Sequence, residues 1–198
     1  WQVQFVAHRG GSVVATLNAD PTVVSPAQML AVKVKASVSH GALVPFLKAS
    51  FVIKVAPSAY DGVVTVKVVH RRVVVGRYRI RVRDGRAVLQ IPLRGVDGFT
   101  LTFALPASGG LAARTLETKI AVKARTLSAG ASGPYVKGML TGLQRLAVHI
   151  PGMRSSFTTS VKDSVMAFQK AYRLSRTYVF NTACWRKMDG AKVIKPRH

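Results

Sequence analysis

The sequence is sparing with the side chains that carry out catalysis. Its one cysteine, Cys184, sits in NTACWRK. A thiol acts as a nucleophile once a partner base draws off its proton, and no histidine lies near it in sequence. Cys184 falls on the apolar stripe of a helical segment, so it reads as a packing residue. A single cysteine also excludes an intrachain disulfide and a cysteine cluster for zinc. The five histidines, His8, His40, His70, His149 and His198, show no metal-ligand spacing, and neither a metal nor a cofactor is expected. Seven acids in the whole chain are too sparse for the paired carboxylates of acid–base catalysis. HRGG, at 8–11, is a glycine turn without the strand-to-helix setting of a phosphate loop.

What remains is cationic and aromatic. In GRYRIRVR, residues 76–83, Arg77, Arg79, Arg81 and Arg83 alternate with Tyr78, Ile80 and Val82. On a strand this puts four guanidiniums on one face, a candidate anion-binding surface that is either solvated or meets anions. Phe168 and Trp185 have the ring faces to stack on sugars, but their helical phase assigns them to a core. Gln144 and Gln169 read as partners for nearby backbone groups.

The elements that position these residues change period along the chain. In VVTVKVV, Val64, Val66 and Val68 share one face while Thr65 and Lys67 share the other. Further strands are expected at 12–18, 30–38, 50–56, 87–93, 98–105 and 118–124, with turns at Asp84-Gly85 and Asp97-Gly98. About eight short antiparallel strands imply a β-sandwich over 1–126. TLSAGASGP (126–134) is small and Gly/Ser-rich, which makes 127–133 a linker. Over 134–198 the period is helical. Val136, Leu140, Leu143, Leu146/Ala147 and Ile150 form one stripe, Val161, Val165, Phe168 and Tyr172 a second, and Cys184, Trp185 and Met188 a third. Pro151-Gly152 is expected to stop the first helix, and Ser/Thr residues before Val161 to cap the second. Three short helices and a basic tail follow, with a core of about a dozen side chains that is marginal by itself.

Composition limits the setting. The chain has 198 residues, is 48% hydrophobic and carries a net charge of +23, so it can bury a core. The excess is spread out: 18 basic and 5 acidic residues over 1–126, and 12 and 2 over 127–198. Such a field draws polyanions and makes binding salt-sensitive; nucleic acid, the phosphate polymers and peptide carboxylates of a bacterial wall, and simple solubility are the readings it admits. No run reaches the roughly 18–20 apolar residues of a membrane helix. The opening WQVQFVAHRGG lacks a basic start and apolar run, so a secretory leader is expected to have been removed or never to have existed.

GPYVKGMLTGLQRLAVHIPG…SFTTSVKDSVMAFQKAYRLSRTYVFNTACWRKM resembles the three-helix peptidoglycan-binding domain of bacterial wall enzymes. Leu143-Gln144 matches the family's Leu-Gln pair, Ser164-Val165-Met166-Ala167-Phe168-Gln169 its Ala-Val-x-x-Phe-Gln, and Cys184-Trp185 half of its Thr-Trp. The resemblance covers roughly 133–189. Val161, Tyr178 and Cys184 depart from the family's Thr, Gly and Thr, in loops and caps that border its ligand groove. The resemblance implies Arg154, Arg173, Arg176, Tyr178 and Asn181 as ligand contacts. The preceding strands resemble a bacterial immunoglobulin-like domain, in GVVTVKVVHRRVVVGRYRIRVRDGRAVLQIPL, VDGFTLTFAL and TKIAVKA. Together the two parts look like the non-catalytic front of actinobacterial L,D-transpeptidase-like proteins, whose nucleophile motif, Ser/Thr-x-Gly-Cys, is not in this chain. The resemblance implies a secreted, extracellular chain that binds peptidoglycan and anionic wall polymers, or spaces a wall enzyme, without catalysis. The alternatives are a basic nucleic-acid-binding protein and a structural or adhesion module of a surface assembly. No specific nucleic acid is expected, because no recognition helix or exposed aromatic row is evident.

Overall fold

The computed structural model describes residues 32–150 and 155–191 with their side chains, and within 11–30 the backbone of four short strands. These are β1 (Gly11–Val13), β2 (Thr16–Leu17), β3 (Asp20–Val24) and β4 (Gln28–Leu30); β1 pairs antiparallel with β4, and β2 with β3. Of the strand expected at 12–18, the described residues 12–13 belong to β1 and 16–17 to β2.

Seven longer strands follow: β5 (Lys35–His40), β6 (Lys48–Ala56), β7 (Val63–His70), β8 (Val73–Arg81), β9 (Arg86–Pro92), β10 (Asp97–Leu105) and β11 (Arg114–Val122). They form two mostly antiparallel sheets, ordered β11-β10-β7-β8 and β5-β6-β9. Period-two patterning is the cause. Ala49, Phe51, Ile53 and Val55 of β6 are buried, as are Val64, Val66 and Val68 of β7, and Phe99, Leu101, Phe103 and Leu105 of β10. The strand expected from residue 30 begins at Lys35; upstream, Val32 makes a parallel bridge to Leu111.

The turns show where local chemistry decides. At Asp84-Gly85 both residues have positive φ (49° and 67°), and Arg83 and Arg86 exchange both backbone bonds, at 3.0 and 2.8 Å. The tight two-residue turn expected from Asp-Gly is there, but it does not close a hairpin: beyond the isolated Arg83–Arg86 bridge it carries the chain from β8 in one sheet to β9 in the other. Gly85 is required twice, by its φ and by the Val55 carbonyl standing where a Cβ would be. Asp97-Gly98 is not a turn: the bend falls at Gly95-Val96, and Asp97 (φ 74°) opens β10. The β7–β8 turn has no sequence mark at all. His70 pairs with Val73, leaving a loop of Arg71 and Arg72 at φ 48° and 65°. That sign at both central residues usually selects Asn-Gly.

The helices are α1 (Pro134–Arg145), α2 (Thr159–Ala171) and α3 (Thr182–Gly190). Pro134 opens α1, where its missing N–H costs nothing. Thr158 caps α2 by accepting from the Val161 N–H, and Asn181 caps α3 by accepting from the Cys184 N–H at 3.1 Å. The end of α1 departs from expectation. It stops before Pro151, through bonds from Ala147 N–H to the Gln144 carbonyl (2.9 Å) and from Val148 N–H to the Leu143 carbonyl (3.2 Å), with Ala147 at φ 60°. That is a Schellman closure with alanine where glycine is usual. α2 ends the same way: Arg173 (φ 56°) bonds Lys170, and the Leu174 N–H donates to the Gln169 carbonyl at 2.8 Å.

Backbone proximity divides the chain into two units: Trp1–Ser39, Phe51–Leu89 and Thr100–Thr118 form one, and His40–Ser50, Gln90–Phe99 and Lys119–His198 the other. In the second unit Leu143, Val165, Phe168 and Trp185 are fully buried in one hydrophobic cluster that also takes in Phe46 and Val96. Trp185 meets Phe180 edge-on at 4.9 Å and stacks on Phe46 at 6.2 Å. Its indole N–H donates to the Arg125 carbonyl. Gly138 of α1 brings the helix against Pro45, whose carbonyl a Cβ would strike, and Gly142 leaves room for the Met188 side chain beside Phe46.

Candidate functional site

Two places gather the residues picked out from the sequence, one in each unit. In the second unit, Arg173, Arg176, Tyr178 and Asn181 lie on the loop from α2 to α3; Arg154 lies outside the described residues. Gln169 holds this loop in place from the buried side. Its amide donates to the Val179 carbonyl at 2.9 Å and the Thr177 hydroxyl at 3.3 Å, and its carbonyl accepts from the Thr177 N–H at 3.2 Å. Cys184 is buried beside it, its Sγ 3.6 Å from the Gln169 amide nitrogen. Among the described residues no buried side-chain nitrogen or oxygen lacks a hydrogen-bond partner.

The outer side of the loop is exposed at Arg173, Arg176 and Tyr178. Tyr178 stands at φ 57°, and Lys162 of α2 places its ammonium 4.5 Å from the centre of the tyrosine ring. Lys162 was not evident in the sequence, because the contact joins α2 to the loop beyond its end, a relation that no local pattern carries. Asn181 has its side-chain oxygen committed to the α3 cap. The loop thus presents two guanidiniums, an ammonium and an aromatic face: groups that meet carboxylates and the apolar faces of sugars.

In the first unit, Arg77, Arg79 and Arg81 point to the exposed face of β8, and Arg83 continues the alternation beyond its end, while Tyr78 and Ile80 are half-buried and Val82 is buried. The four are not equivalent. Arg81 makes a bidentate pair with Asp61, Nε to Oδ1 at 3.0 Å and the second nitrogen to Oδ2 at 3.1 Å. The Arg81 hydrogen bond holds the Asp61 carboxyl below the usual carboxylate range, and the guanidinium is stabilised in return. Both groups line an open hollow of about 510 Å³ with Ser58, Ala59, Tyr60, Arg83 and Asp84. Burial pushes the Tyr60 hydroxyl up, and it donates to the Pro106 carbonyl. Arg77 and Arg79 have no carboxylate partner among the described residues. Register places Lys67 directly opposite Arg77 and Thr65 opposite Arg79. Lys67 and Thr65 were legible only as a polar face of β7; their pairing with the arginines is a matter of register.

No three His, Cys, Asp or Glu side chains converge among the described residues. Nor is any described helix long and apolar enough to cross a membrane. The sequence matches no family model, and it matches no curated protein.

Proposed function

We propose that this chain is a non-catalytic, extracellular wall-binding module, in which a three-helix bundle of the peptidoglycan-binding type follows an immunoglobulin-like sandwich. It stands as the front part of an L,D-transpeptidase-like wall-remodelling protein. The observation that carries the reading is the α2–α3 loop. It exposes Arg173, Arg176 and Tyr178 on one connection, with the Lys162 ammonium 4.5 Å from the centre of the tyrosine ring. The burial of Leu143, Val165, Phe168 and Trp185 in one cluster supports the family resemblance, since these are the residues that carry it. Burial of Cys184 supports a structural thiol rather than a nucleophile.

The ligand this loop suits is the sugar and stem-peptide carboxylate of peptidoglycan, with Tyr178 against the sugar and Arg173 and Arg176 on the carboxylate. The test is co-sedimentation of the full chain with purified Gram-positive walls from which phosphate polymers have been stripped, at 1 M salt. There the screening length is roughly 3 Å, so diffuse attraction is removed. Binding that persists and is lost in Y178G and R173G supports the reading. Absence of salt-resistant binding, or its indifference to both substitutions, overturns it.

A further inference from the structure

The strand face of the first unit makes an offer distinct from that of the α2–α3 loop. Successive outward residues of a strand stand about 6.8 Å apart, at roughly 3.4 Å per residue, which is the spacing of Arg77 and Arg79. Directly opposed residues of an antiparallel pair bring their Cβ atoms to about 4.5–5.5 Å, which is the relation of Lys67 to Arg77 and of Thr65 to Arg79. Like charges set opposite one another repel, so the Lys67–Arg77 pair lacks a neutralising group that nothing among the described residues supplies. Asp61 neutralises Arg81 instead. The cationic track is thereby confined to two steps, with a carboxylate at one end.

We propose that Arg77, Lys67, Arg79 and Thr65 form a binding site for two successive phosphates of an extended polyol phosphodiester. The choice of polymer rests on the wall-binding reading; the site itself rests on register and charge. The match is one of bond count. A dipeptide of strand contains six backbone bonds, and a three-carbon phosphodiester repeat, like a nucleic-acid backbone, also contains six bonds from one phosphorus to the next, so an extended phosphodiester advances in step with the strand and the choice between the two polymers falls to the groups beside the phosphates. One phosphate bridges Arg77 and Lys67 through its two unesterified oxygens. The next takes the Arg79 guanidinium and the Thr65 hydroxyl. A third is turned away by Asp61, which already occupies Arg81. Nucleic acid fits the face less well: the one aromatic of β8, Tyr78, belongs to the opposite, half-buried set, leaving no ring on which bases stack.

The experiment measures binding of the full chain to a defined poly(glycerol phosphate) at 0.15 M salt, with a polyglutamate and a single-stranded oligonucleotide of matched charge as comparisons. K67Q/R77Q/R79Q is compared with K48Q/K137Q/K170Q, which removes the same charge at exposed positions elsewhere. The first triple variant is expected to weaken poly(glycerol phosphate) binding at least tenfold and to flatten its dependence on salt, and the second to weaken it about twofold or less. R77Q and R79Q alone are expected to give intermediate losses, so the result does not depend on the triple variant's folding. Equal losses in the two triple variants overturn the site in favour of the diffuse field. Tighter binding of polyglutamate or the oligonucleotide than of poly(glycerol phosphate) overturns the phosphodiester assignment. Binding to phosphate-stripped walls through the α2–α3 loop is untouched by K67Q/R77Q/R79Q, so failure of this site and failure of the wall-binding reading are separately visible.

Discussion

Arg173 and Ala147 occupy the same backbone position, one residue past the cap of α2 and α1, and they separate function from strain. Glycine relieves the left-handed backbone at either site. Ala147→Gly is therefore expected to raise stability by about 0.5–1 kcal/mol, read in urea melts. Arg173→Gly should give a similar gain while lowering wall binding, and a gain in stability without loss of binding argues that the guanidinium is merely tolerated. Asp61 gives a pH signature. Its folded-state pKa lies below the ordinary value because of Arg81, so the pair's stabilisation is present above the unfolded carboxylate's pKa and is lost as pH falls through the folded one. The difference in melting temperature between the wild type and D61N should accordingly shrink below about pH 4. A gap that widens on acidification contradicts the pairing.

At the scale of elements, the α2–α3 segment depends on its buried side more than on its exposed one. Gln169→Ala removes three bonds to the loop, taking the acceptor from the Thr177 N–H and leaving the Val179 carbonyl with the longer bond from the Thr177 hydroxyl (3.4 Å), at a cost of about 1–3 kcal/mol. Phe168→Ala, in the same cluster, should cost about 3–5 kcal/mol by the same melts, whereas Cys184→Ser should lower stability modestly and leave wall binding intact. Rapid labelling of Cys184 by a thiol reagent in the native protein would contradict its burial. These elements were readable in advance where period and punctuation agreed, as in VVTVKVV and the tight turn at Asp84-Gly85. They were misread where the deciding bond was non-local. Pro151 looked like the end of α1, but the helix closes at Leu146 because Leu143 and Gln144 find partners in the N–H groups of Val148 and Ala147. A turn between the strands of GVVTVKVVHRRVVVGRYRIRVR was legible, but its place at Arg71-Arg72 was not, because the pairing of β7 with β8 imposes φ values against the preference of arginine.

For the whole molecule, the charge of +23 predicts that much of the binding to intact walls disappears between low and high salt, and that duplex DNA binds without sequence preference. A specific oligonucleotide preferred over walls at physiological salt contradicts the wall reading. Composition and periodicity determined by themselves that this chain builds strands followed by helices, that it carries no cysteine framework, and which rings anchor the helical core, because burial of an amphipathic face follows from residue order alone. Only the tertiary structure decided that Phe46 and Val96 enter the cluster with Trp185, that Asp61 takes Arg81 out of the arginine row, and that Lys67 joins Arg77 and Lys162 joins Tyr178. Each of these contacts spans a sequence separation that no local pattern encodes, and each is set by strand register or by close packing, which the chain acquires only on folding.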